Sequence, residues 1–240
     1  IQLGALTTSV SSGGLWLAKK EEYNGYINHG DSYTAAVTCQ AVRKILDFKK
    51  KKPTEVNLAI LGAYGIIGEA VSFNHSILIG PRIEKLKELA IKLEGKFEIS
   101  RNLKTLDADI IVTATNHPEA LLKSHHLKKN AIVIDISQPV NLSQDICKER
   151  PDIIRIDGGY VDVISKNIIP MLPKGKLFSC IAEVIMQTME DDHKNYVGSI
   201  DLKHLKRTER WAEKYGYTLN ELTNFGKSIY LGRLRNESNS

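Results

Sequence analysis

Cysteine is scarce in this chain: Cys39, Cys147 and Cys180 are the only three among 240 residues, and they lie far apart. So odd and sparse a set offers neither a disulfide framework nor zinc-ligand spacing. It suits a reducing compartment, so a cytoplasmic protein without a metal is expected. Long apolar runs are missing too. None approaches the roughly 18 residues of a spanning helix, so no transmembrane segment is expected and any membrane contact is peripheral. Neither sign of charge dominates: the net charge is +5, much of it from Lys49 to Lys52, which read as a solvated helix end. A nucleic-acid partner is therefore not expected. None of the seven histidines has metal-ligand spacing, and no Ser-His-Asp arrangement can be read from the order of residues. His29, in a loop with Gly30, is the one histidine placed to line a pocket. The sequence starts at Ile1 without a charged n-region and cleavage site, so no signal peptide is expected, and a start inside a longer chain is left open.

With 42% hydrophobic and 25% charged residues, the chain has the material for a sizeable core as one large domain or two small ones. Leu3–Val10 reads as a strand, followed by a turn at Gly13–Gly14. The spacing of Val37, Ala41, Ile45 and Phe48 predicts a helix from about Thr34 to Lys51, with Ser32 as N-cap and Pro53 closing the segment. The texture then changes. Val56–Leu61, Ser76–Ile79, Ile110–Thr113, Ala131–Ile134 and Ile153–Ile156 are short, almost wholly apolar runs, and 82–93 between them has helical spacing. Such alternation predicts βαβ units in a parallel sheet covered on both faces. Leu177–Glu190 and Asp201–Tyr215 read as helices, the second stopped by Gly216, and the tail from Arg233 as frayed. The expected architecture is α/β. A doubly wound domain spans 54–165, and a smaller part is built from 1–53 and 166–240.

The run Gly62-Ala63-Tyr64-Gly65-Ile66-Ile67-Gly68 follows the first predicted sheet strand and precedes a helical stretch. Glycines at this spacing permit a tight turn and let backbone N–H groups approach a pyrophosphate, and the strand–turn–helix context supports that reading over a plain turn. The next strand ends in Ile79-Gly80-Pro81-Arg82, with no acidic residue for a ribose 2′-hydroxyl. Arg82 is either a partner for a 2′-phosphate, favouring NADP(H), or a solvated helix start. Few residues separate Gly68 from Gly80, so the intervening helix has about two turns or residues are missing.

Cys180 falls in the first turn of a predicted helix, with Lys174 and Lys176 close by in sequence. Both features would lower its thiol pKa. Glu183, one turn along, is a candidate base or orienter. On chemistry alone a small buried core residue is the commoner outcome for a free cysteine.

Together these segments resemble the long-chain acyl-(acyl carrier protein) reductases, relatives of the shikimate dehydrogenase and glutamyl-tRNA reductase type of fold. Leu3-Gly4-Ala5-Leu6-Thr7-Thr8-Ser9 is similar to the family's L-G-[AG]-[FY]-T-S, and Gly30-Asp31-Ser32-Tyr33-Thr34-Ala35 to its G-N-[ST]-H-T-A. Gly62 to Val71 resembles its G-A-T-G-D-I-G-S-A-V and Asp157-Gly158-Gly159 its N-G-G. Leu177-Phe178-Ser179-Cys180-Ile181-Ala182-Glu183 resembles its [LM]-F-A-C-F-A-E. The resemblance implies a Rossmann-type fold and NADPH-dependent reduction of a fatty acyl thioester to an aldehyde, with Cys180 as the acylated nucleophile. It implies cofactor binding by Gly62, Tyr64, Gly65, Ile66, Gly68, Arg82, Thr115 and Gly159. Ser32, Thr34 and the amides near Gly158–Gly159 are candidate stabilisers of an oxyanion. The substrate carrier would be acyl carrier protein or CoA, and Lys174 and Lys176 suit docking of the acidic carrier. Tyr64 and Ile66 depart from the family's Thr and Asp, and Arg82 stands one place later than its arginine. Two other readings stay open: a shikimate-dehydrogenase-like enzyme with direct hydride transfer, and a non-catalytic NADP(H)-binding module.

Overall fold

The computed structural model describes residues 1–4, 6–103, 107–164, 172–229 and 232. Along the chain run α1 (Leu6–Val10), α2 (Asp31–Lys49), β1 (Leu58–Leu61), α3 (Ile66–Ala70), β2 (Ile77–Ile79), α4 (Ile83–Lys92), β3 (Glu98–Ser100) and β4 (Ile110–Thr113). Then come β5 (Ile132–Asp135), α5 (Gln144–Glu149), β6 (Ile154–Asp157), β7 (Tyr160–Asp162), β8 (Lys176–Phe178), α6 (Ser179–Met189), α7 (Leu202–Tyr215), β9 (Thr223–Asn224) and β10 (Lys227–Ser228). The expected tail from Arg233 lies outside the described residues. Among the described residues no helix is long and apolar enough to cross a membrane.

Contacts divide the chain into two units. One holds Ile1–Thr38 and Gly159–Glu221; the other holds Cys39–Gly158 and the chain from Leu222 onward. The sequence reading sets its boundaries at 54 and 165; the contacts divide the chain inside α2, between Gly158 and Gly159, and between Glu221 and Leu222.

The second unit is built on a six-stranded sheet in the order β3-β2-β1-β4-β5-β6, every pair parallel. This is the doubly wound α/β fold of Rossmann type that the alternating apolar runs predict. The order reverses between β1 and β4, where Leu61 pairs with Thr113, and ligands of such sheets bind outside the strand ends at that crevice. β1, β4 and β5 are buried along their whole length. Ala59, Leu61, Ile111, Val133, Leu122 and Leu142 form the core on one side. β3 escapes sequence reading because it is a half-exposed edge of three residues, with Ile99 the one apolar residue among them. α3 is short, five residues, and Val71 closes it by donating to Ile67 O.

The antiparallel β9–β10 hairpin is pinned to the end of β6. Asp157 accepts from Thr223 Oγ1 (2.9 Å), Phe225 N (3.1 Å) and Gly226 N (2.8 Å), and the Arg155 guanidinium lies 4.2 Å from the Phe225 ring centre.

In the first unit the start of α2, the antiparallel β7–β8 hairpin, α6 and α7 gather around Tyr33, Val37, Val161, Leu177, Met186 and Trp211, and α1 belongs to the same unit. Several local expectations fail here. Leu3–Val10 is not a strand: the Thr7 hydroxyl and amide both bond Gly4, and Ser11 Oγ donates to Thr7 O, so these side chains serve a helical turn instead of a ladder. Ser32 is not an N-cap: α2 begins at Asp31, directly after Gly30 at φ +73°. Leu177 belongs to β8, so the helix predicted over 177–190 begins at Ser179. α7 follows the sequence closely, with Asp201 Oδ1 accepting from Lys203 N (2.9 Å) and Gly216 left-handed at the C-cap.

Candidate functional site

The first unit holds Cys180 at a strand-to-helix junction. β8 ends at Phe178, Ser179 N donates to Gly159 O (2.7 Å), and α6 starts, so Cys180 is the second helical residue. Against it lies the loop before α2. Asn28 Nδ2 donates to Gln187 Oε1 (2.8 Å) on α6, Gly30 N donates to Asn28 Oδ1 (2.6 Å), and Asp31 N donates to His29 Nδ1 (2.9 Å). These bonds bring Gly30 so close that a Cβ there would sit 2.5 Å from both Cα and Cβ of Cys180. With φ +73° besides, only glycine fits.

The thiol does not have the lowered pKa expected from its position. Burial and the Asp31 carboxylate push it up to about 12, with Glu183 adding to the rise. The amides of Ile181 and Cys180 do favour the thiolate, as a helix start should, but they are outweighed. The two lysines give no help. Lys176 is buried and paired with Asp162, and its Nζ also donates to Glu221 O (3.4 Å). Lys176 is therefore not a docking residue either; Lys174 is exposed. Asp31 itself is raised to about 7, by burial first and then by the charge of Glu183. Burial lowers His29, which stays neutral, and His29 Nε2 has no partner among the described residues.

Glu183 is fully buried three residues beyond Cys180. It accepts from Tyr33 N (2.7 Å) in the first turn of α2, and its other oxygen lies 2.9 Å from His204 Nε2 on α7. His204 is stacked on Tyr196 and edge-on to Trp211. Both carboxylate oxygens are committed, so Glu183 is an orienter of α2 and α7 around Cys180. Thr34 Oγ1 donates to Gly30 O (2.9 Å) and shares a proton with Ser179 Oγ (2.9 Å). That chain occupies Thr34, which leaves no hydroxyl proton for an oxyanion. Ser32 is buried in the first turn of α2.

Gly62, Tyr64, Gly65, Ile66 and Gly68 come together in the β1–α3 turn of the sheet unit. Gly62 is left-handed at φ +85°, and a Cβ there would meet the Ala114 carbonyl and Thr115 Cγ2. Gly62 N and Ala63 N donate to Ile79 O, and Gly65 N to Gly62 O. The amides of Tyr64, Ile66 and Ile67 donate to no backbone carbonyl among the described residues, so they fit the pyrophosphate of a dinucleotide at the switch point. Thr115 stands beside them, its amide donating to Ser137 Oγ (3.0 Å) and its hydroxyl accepting from Asn141 Nδ2 (2.9 Å). Tyr64 lies over Gly80 at the end of β2, where a Cβ would be 2.6 Å from its Cε1. Arg82 follows, exposed, as the N-cap of α4. Gly159 belongs to the other unit, where its carbonyl holds Ser179, and Gly158 N is already donated to Asp135 O (2.9 Å).

No family model matches the chain. Among curated proteins it is 24% identical, over an alignment of 255 residues, to aminotransferase PigE of a Serratia species, covering 98% of this chain and 30% of that protein. It is 26% identical over 183 residues to the long-chain acyl-[acyl-carrier-protein] reductase of Synechococcus elongatus, covering 70% of this chain and 53% of that protein. The chain thus spans 30% and 53% of the length of these curated relatives. Among solved structures it is similar to the nucleotide-binding domain of glutamyl-tRNA reductase from Thermoplasma volcanium, with 18% identity, a TM-score of 0.38, and coverage of 51% of this chain and 84% of that one. Sequence similarity ties the chain distantly to a reductase.

Asp31, which has the strongest charge effect on the thiol, was missed by sequence reasoning. The available signal was a carboxylate where the resembled loop has Asn. His204 gave one too: it shares a helix face with Thr208 and Trp211.

Proposed function

We propose that the chain reduces a fatty acyl thioester, carried by acyl carrier protein or CoA, to an aldehyde through an acyl-enzyme on Cys180, with NADPH as cofactor. The observation that supports this most is the backbone contact of Gly30 with Cys180, which sets the thiol among Asp31, His29 and Glu183 in one unit. Distant similarity to an acyl-[acyl-carrier-protein] reductase points the same way.

In this reading Cys180 Sγ bonds to the thioester carbonyl carbon as its proton passes to Asp31. The bond to the carrier sulfur breaks, and that thiol leaves with the proton from Asp31. A group balanced near neutrality suits both transfers. The amides of Tyr64, Ile66 and Ile67 would hold the pyrophosphate beside Thr115, and Arg82 a 2′-phosphate. Bound NADPH supplies the hydride that reduces the acyl-enzyme. Aldehyde departs as the carbon–Sγ bond breaks, and Cys180 regains a proton. A reducing cytoplasm would keep the thiol ready.

The raised thiol pKa favours a second reading, in which Cys180 is inert and the chain transfers hydride directly or only binds NADP(H). Intact-protein mass spectrometry after incubation with a long-chain acyl-CoA separates the two. We expect a mass gain of one acyl group, absent in Cys180→Ser and discharged by NADPH. A folded protein that binds NADPH but gains no acyl group would replace the first reading with the second.

A further inference from the structure

We propose that the outward basic strip of α7, formed by Lys203, Lys206, Arg207 and Arg210, docks the acidic carrier protein that delivers the acyl thioester. The inference rests on the reductase reading and assigns it a partner surface.

The strip follows from the sequence of α7. His204, Thr208, Trp211 and Ala212 turn inward and are buried. Positions 203, 206, 207 and 210 are spaced i, i+3, i+4 and i+7, so they fall on one strip of the helix beside the buried face. Their side chains neighbour one another on the surface of the helix. Arg207 is the anchored member: Nη1 lies 3.1 Å from Asp192 Oδ2 and 3.4 Å from the Tyr196 hydroxyl, and its guanidinium sits 5.7 Å from the Trp211 ring centre. Lys203, Lys206 and Arg210 are exposed and pair with no carboxylate among the described residues. Lys214, further along, is neutralised by Glu190 (2.6 Å). The unpaired positive charge is therefore concentrated in two turns, on the order of 10 Å of helix.

That size and setting select the partner. Glu213, three residues past Arg210, closes the strip at its C-terminal end, and Glu209 flanks Lys206. An extended polyanion or an anionic bilayer would run onto these carboxylates, while a short acidic segment fits the two basic turns that precede Glu213. The strip itself carries no aromatic ring for base stacking: Trp211 is buried, and Tyr215, at the end of α7, is half-buried with its hydroxyl donating to Glu190 Oε1 (2.7 Å). Leu202 is the one large apolar side chain it exposes, too little for membrane insertion. The strip also belongs to the unit that holds the nucleophile: His204 of α7 bonds Glu183 of α6, three residues past Cys180. Charge complementarity of this kind sets encounter and orientation more than final affinity.

The test is binding of palmitoyl-loaded acyl carrier protein to the full chain, by calorimetry, at about 0.05 and 0.3 M salt, a range across which screening of surface charge changes strongly. Wild type should bind, and weaken steeply with salt. The triple variant K203E/K206E/R210E should lose roughly tenfold or more in affinity and most of the salt dependence. The milder K206Q/R210Q should fall between, and circular dichroism should show both folded. Acylation of Cys180 by a neutral carrier-free thioester, the N-acetylcysteamine ester, should proceed unchanged in every α7 variant. Equal carrier binding by wild type and the triple variant would overturn the proposal. So would a triple variant that keeps the carrier but loses a fluorescent DNA duplex or phosphatidylserine vesicles. If the carrier binds through α7 while no thioester ever acylates Cys180, the surface stands and the covalent reading falls. If Cys180 is acylated but carrier binding does not depend on α7, the covalent reading stands and the surface falls.

Discussion

The amides of Cys180 and Ile181 favour a thiolate at the start of α6, yet burial and the Asp31 carboxylate hold the proton on sulfur. Asp31 sits under the same pressure, because burial and Glu183 resist its ionisation until about pH 7. Its folded pKa lies above the ordinary 3.8, so the unfolded chain releases this proton first. The folded state therefore loses stability as pH rises from about 4 to about 7. Asp31→Asn should remove that loss, on the order of 4 kcal/mol, seen as a melting temperature raised more at pH 8 than at pH 4. The same variant should speed carbamidomethylation of Cys180 at pH 8 several-fold by removing a negative charge. An unchanged rate would mean that Asp31 does not act on the thiol. The sequence located Cys180 at a helix start correctly but misjudged its acidity. Helix position and nearby lysines are local features. The opposing carboxylate comes from the first residue of α2, some 150 residues away, and Lys176 is turned toward Asp162 by the β7–β8 pairing.

At the scale of elements, apolar runs located β1, β2, β4, β5 and β6 because strands covered on both faces are mostly apolar, with Arg155 the polar residue inside one of them. Elements held by side-chain bonds rather than by apolar pattern were read wrongly or missed, as with α1 and its Thr and Ser hydroxyls. The β9–β10 hairpin is the extreme case, since its place depends on one carboxylate. Asp157→Ala removes three bonds to the hairpin and one partner of the buried Arg155, which keeps Asp135 at 3.2 Å. It should cost roughly 3 kcal/mol, the usual scale for breaking a buried pair from one side. Amide exchange should accelerate first at 223–228. Protection there equal to wild type would show that packing of Phe225 on Arg155 suffices.

For the whole molecule, the division of the chain inside α2 decides how it unfolds. Neither part of α2 reaches the roughly 12 residues at which an isolated helix becomes even marginal in water. Melting one unit strips packing from part of a helix on which the other depends. Both tryptophans, Trp16 and Trp211, belong to the first unit. Tryptophan emission and far-ultraviolet dichroism should therefore give coincident urea midpoints, and a clear gap between them would show that the units melt separately. The same interrupted layout orders events on the ribosome. Tyr33, Ala36 and Val37 are synthesised before any strand of the parallel sheet, but Leu177, Ala182 and Trp211, against which they pack, come after the last. At about 5–20 residues per second the wait is on the order of ten seconds. For that interval the nascent chain carries an apolar helix face with no partner yet made, which is the surface a chaperone would bind.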